Sequence, residues 1–73
     1  MMFRELDAVV LTRDVPEHAL RAGDLGAIVH MHTDTMAEVE FVRATGTTAV
    51  VTTLPTSALR GLSDTDLLSV RPE

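Results

Sequence analysis

A small, mainly β domain, a meander of short strands forming a twisted sheet or barrel, is the fold class this sequence predicts. Three observations carry it. Between Gly23 and Leu54, three runs rich in β-formers (residues 25–32, 37–43 and 48–54) are separated by turn chemistry. The apolar 45% of the chain comes in short aliphatic runs, with two Phe and no Trp or Tyr. Gly and Pro punctuate those runs at Pro16, Gly23, Gly26, Gly46 and Pro55.

The first strand is expected over residues 7–13, with Val9 and Leu11 on one face and Ala8, Val10 and Thr12 on the other. Pro16 ends it, because proline donates no ladder hydrogen bond and biases Val15 away from helix. Residues 18–22 read as one helical turn closed by Gly23, and this connection is a candidate binding loop. Gly23-Asp24-Leu25-Gly26 spells the G-x-x-G of an RNA clamp but lacks its flanking helices and basic setting, so the glycines serve a tight turn.

In the second and third strands, Val29 and Met31 are expected inside with Val39 and Phe41. His30, His32, Glu38 and Glu40 then share the outside, an arrangement that an odd-length hairpin loop satisfies. Residues 44–47 turn the chain into a fourth strand that Pro55 stops. A tight turn over 56–59 follows, and Arg60 and Leu62 belong to a short closing strand. Ser63 and Asp66 have helix-capping spacing ahead of Leu67, Leu68 and Val70.

Seventy-three residues make one domain, with 6–62 as its core and 63–73 as a C-terminal extension. A chain this short buries only about 60% of the surface its unfolded form exposes, so the core is thin. Without Cys it has neither a disulfide nor a thiolate metal site, and packing or self-association must stabilise it. No apolar run approaches the ~20 residues a membrane span needs, and no secretion signal follows Met1; a soluble cytoplasmic protein is expected. Six basic residues, all Arg, stand against eleven acidic ones, for a formal charge of −5. That balance disfavours nucleic acid and leaves room for a basic protein partner.

Two sets of side chains are candidates for function. His30 and His32 point the same way along a strand, and Glu38 and Glu40 across the ladder would complete an N/O metal site; cross-strand His-Glu pairing on a solvated face is the plainer reading. The second set comes from a doubled apolar pattern. Val9 with Val10, Ile28 with Val29 and Val50 with Val51 each place large side chains on both faces. The outward set Val10, Ile28 and Val50, with Val42, must be covered, either by a partner or by the chain's own ends through Phe3 and Leu6 or Leu67, Leu68 and Val70. Asp14, Glu17, Glu38 and Glu40 around such a patch suit a basic partner.

Val9-x-Leu11-x-x-Asp14-x-Pro16-Glu17, Leu20-x-x-Gly23-Asp24-x-Gly26, Val39-Glu40-Phe41, and Leu54-Pro55 with Leu59-Arg60 together resemble a bacterial family of short domains, the domain-of-unknown-function family forty-nine twenty-six. The similarity runs from Leu6 to Leu62. It implies an SH3-like barrel of about five antiparallel strands with one short helical turn, and an antitoxin, immunity or accessory role beside a small neighbouring gene product. Met36-Ala37-Glu38 stands where the family usually has an aromatic, so the aromatic ridges on which Pro-rich ligands dock are absent.

No spacing of Ser, His and carboxylates assembles a nucleophile, base and oxyanion donors, so no enzyme and no cofactor is expected. A non-enzymatic protein-interaction module, self-associating or heteromeric, is the expectation. A metal- or small-ligand-binding barrel is the first alternative, and a nucleic-acid-binding SH3-like domain, disfavoured by charge, the second.

Overall fold

The computed structural model describes residues 3–42 and 48–62. Five strands, β1 (Ala8–Leu11), β2 (Leu25–Thr33), β3 (Met36–Val42), β4 (Thr48–Pro55) and β5 (Leu59–Gly61), form one antiparallel sheet in the order β4-β3-β2-β1-β5. Two three-residue 3-10 turns, Pro16–His18 and Thr56–Ala58, are the only helical elements among the described residues. Each expected strand is present. The first is shorter than expected, and past its end the Thr12 amide donates to the Ala58 carbonyl at 2.8 Å, in line with the β1–β5 register. The expected turn at 44–47, the capping segment at 63–66 and Leu67, Leu68 and Val70 lie outside the described residues.

β4 and β5 are the edges of the sheet, yet Leu54 of β4 and Leu59 of β5 fall in one buried cluster with Val9, Leu11, Ile28, Val39 and Phe41. One face therefore curls around the core. The Thr56–Ala58 turn makes this link short, and the Thr56 amide donates to the Thr35 carbonyl at 2.9 Å, tying it to the β2–β3 turn.

The β2–β3 hairpin corrects the inside–outside assignment. Its loop has two residues, Asp34 and Thr35, not an odd number. With Thr33 opposite Met36, an unbroken ladder would set Met31 against Glu38. A register shift between Met31 and Thr33 places Met31 opposite Ala37 instead, and a second between Ile28 and His30 places Ile28 opposite Val39. Each shift inserts an extra residue in β2, first His32 and then Val29, which bends the strand and re-aims its neighbours. Ile28, expected outside, is consequently at the centre of the core with 0% exposure, and Val29, expected inside, is exposed. Met31, Val39 and Phe41 are inside as expected.

β4 shows the same reversal. Val50 lies opposite Phe41 and packs against the core, whereas Val51 lies opposite Glu40 and is exposed. Near the N-terminus, Phe3 packs against the inner cluster and Leu6 is exposed, so the expected cover by Phe3 and Leu6 is not what these two side chains provide.

The connection over residues 12–24 is built as a plug. Its 3-10 turn lies at Pro16–His18 rather than at 18–22, and Ala19, not Gly23, takes the left-handed cap at φ 57°. Val15 and Leu20 bridge each other and bury their side chains in the core. Asp14 Oδ1 accepts a hydrogen bond from the Ala22 amide and Asp24 Oδ2 accepts one from the Arg21 amide, each at 2.9 Å. His18 Nε2 lies 3.1 Å from Thr52 Oγ1 on β4. Asp14→Ala is expected to lower stability by about 1 kcal/mol. It should speed hydrogen exchange at Ala22 while the β2 and β3 amides keep their protection.

Candidate interaction face

On the outer face of the sheet, cross-strand neighbours run Ala8, Ala27, Glu40 and Val51 from β1 to β4. One step along lies Leu25, opposite Val10. Alternation along a strand requires this composition: where Val9, Gly26, Phe41 and Val50 point inward, their immediate neighbours point outward. Leu25 is 47% exposed, Val42 52% and Val51 46%, and with Val29 they are the large hydrophobics the outer face leaves open to solvent. Exposed leucines and valines scattered singly mean little, but a contiguous set on one sheet face marks a contact surface. Ala8, Leu25, Gly26, Ala27, Glu40 and Val42 line a shallow groove of about 310 Å3 in that face.

Of the four residues expected to be covered outside, Val42 is exposed as required. Val10 points outward, since it stands apart from the core cluster between Val9 and Leu11, but is only 3% exposed. Ile28 and Val50 belong to the inner side and drop out. Leu25, Ala27 and Val51 were not singled out from sequence, although a signal for one of them existed. Leu54 before Pro55 is the natural inward anchor of β4, and counting back by twos from it puts Val50 inside and Val51 outside.

The histidine pair forms as expected. His30 and His32 meet edge to face with ring centroids 4.7 Å apart. Each has its own carboxylate: His30 Nδ1 lies 3.1 Å from Glu5 Oε2, and His32 Nε2 lies 3.3 Å from Glu38 Oε1, all on exposed side chains. Glu40 sits further along β3, at the Ala27 register, and joins neither pair. No group of three or more His, Asp or Glu among the described residues could hold a metal ion. His32 is one of the two inserted residues in β2 and is displaced from the ladder position that regular pairing would give it.

A family model described as Domain of unknown function (DUF4926) matches residues 5–61, which takes in all five strands and both 3-10 turns. The chain belongs to this family. No curated protein and no solved structure matches it. Many of the residues through which the resemblance was read serve the fold. Asp14 and Asp24 fasten the plug, Pro16 opens its 3-10 turn, Leu20 fills the core and Gly23 takes φ 97° in the turn closed by the Asp24 amide and Arg21 carbonyl. This connection also carries a depression of about 310 Å3 lined by Asp14, Pro16, Ala19, Leu20 and Arg21. The groove, by contrast, is lined mainly by residues outside that motif set. Among the described residues no helix is long and apolar enough to cross a membrane.

Proposed function

We propose that this domain is a non-enzymatic protein-interaction module whose contact surface is the outer face of the sheet. The observation that supports it is the set of exposed Leu25, Val42 and Val51 beside the Ala8–Ala27 floor. Leaving them in water forgoes about 25 cal/mol per Å2 of apolar area, and a partner recovers it. A curled meander whose last strand returns beside its first supports an SH3-like barrel as the architecture, with the contact surface on the outside of the sheet rather than on aromatic ridges. Within this class the family resemblance favours an antitoxin, immunity or accessory subunit acting on a neighbouring gene product in the cytoplasm.

The test is co-purification of the tagged full chain from the cells that encode it. A stoichiometric partner is expected with the native sequence. Leu25→Asp and Val42→Asp should each abolish its recovery without lowering the melting temperature appreciably, because exposed positions contribute little to the core. Recovery of the same partner by both variants would count against the outer face.

A further inference from the structure

We infer that the groove on the outer face takes an aliphatic segment of another protein carrying one arginine or lysine, whose cation pairs with Glu40. This rests on the interaction reading above and specifies its partner. Glu40 lies half-buried in an apolar setting, between Ala27 and Val51 across the ladder and with Leu25 and Val42 lining the same groove. It has no ion pair or hydrogen bond from its carboxylate among the described residues, unlike Glu5 ahead of β1 and Glu38 on β3, which face histidines. Covering the groove with a purely apolar surface would strip water from that carboxylate and give nothing back, a cost that exceeds the gain from a few aliphatic contacts. An occupant must therefore bring a donor to the floor of the groove, and a cation forms the strongest hydrogen bond to a carboxylate.

Three further features agree. The net charge of −5 draws a basic segment and repels an acidic one. A space of about 310 Å3 is enough for two or three side chains. Arginine fits it better than lysine, because the guanidinium is less strongly hydrated and lays a flat face against aliphatic neighbours.

A display library of random twelve-residue peptides, selected on the immobilised full-length chain, tests this without knowing the natural partner. The enriched peptides are expected to carry an Arg or Lys flanked by aliphatic residues. Their binding should fall roughly tenfold or more in Glu40→Gln, as for loss of a charge-assisted contact, and stay within about twofold in Glu38→Gln. Binding should also weaken as salt is raised. Peptides that are lost in Leu25→Asp yet indifferent to Glu40→Gln would overturn the cation pairing while leaving the outer face as the contact surface. Peptides indifferent to both would overturn the two readings together. Sedimentation of the unliganded chain and nuclear Overhauser contacts to the Leu25 and Val42 methyls address the other occupants. A dimer broken by Leu25→Asp, or contacts from residues 63–73, would overturn the inference in favour of a second copy or of the chain's own end.

Discussion

Ile28→Glu is expected to unfold the domain. Ile28 is fully enclosed, opposite Val39 and in the same cluster as Phe41 and Leu11. The substitution removes an enclosed aliphatic side chain and places a carboxylate in a cluster that holds no buried polar or charged residue. Loss of a buried aliphatic side chain costs about 2–5 kcal/mol, and an uncompensated buried charge costs about 3–5 kcal/mol in comparable settings. A single domain has only about 5–15 kcal/mol to lose, and one of this size sits toward the low end. Circular dichroism at 25 °C should show loss of the β signal and of any cooperative melting transition. Val42→Glu, on the other face, should melt within a few degrees of the native chain. Together they test which side of the sheet is the inside, and a folded Ile28→Glu protein would mean that β2 is reversed.

Gly26→Ala should produce the second-largest effect. Gly26 lies opposite Phe41, and a Cβ there would come within 2.9 Å of both the Phe41 ring and the Glu40 carbonyl oxygen. The ring has the Val9, Val39 and Val50 side of the core around it, and the carbonyl belongs to the strand that carries the groove floor, so neither gives way cheaply. Overpacking of this kind costs about 1–3 kcal/mol, and contact with backbone points to the upper end. Urea denaturation should show a lower midpoint with an unchanged m-value. Because the displaced carbonyl is that of Glu40, peptides selected on the native chain should bind this variant more weakly, even under conditions where it is fully folded.

Much of the fold was legible because its punctuation is chemical. Pro16 opens a 3-10 turn, Gly23 takes a positive φ and Pro55 ends β4 for reasons that hold in any context, and the β-rich runs became strands. The family resemblance was legible for a related reason, since several of its motif residues, Asp14, Pro16, Leu20 and Gly23 among them, build the plug. Side-chain direction in β2 was not legible. Alternation assumes an uninterrupted ladder, and the two inserted residues, Val29 and His32, depend on how β2 fits β3 in space. Polar His32 and apolar Val29 carry no mark that distinguishes a bulge from a regular position. The consequence passed straight to the candidate site: the same apolar pairs were recognised, with the wrong member of Ile28/Val29 and of Val50/Val51 sent outward. Glu40 was noticed as a metal ligand beside histidines it does not join, because its true neighbours, Ala27 and Val51, follow only from the register.

The claim on which the functional reading rests is that the outer face stays open in the lone molecule while the inner face is sealed. Methyl relaxation of the full-length chain in the presence of a water-soluble paramagnetic agent measures this directly. The Leu25, Val42 and Val51 methyls should broaden strongly and those of Ile28, Val9 and Val39 should be spared. Protection of Leu25 and Val42 equal to that of Ile28, in a chain that sediments as a monomer, would contradict it.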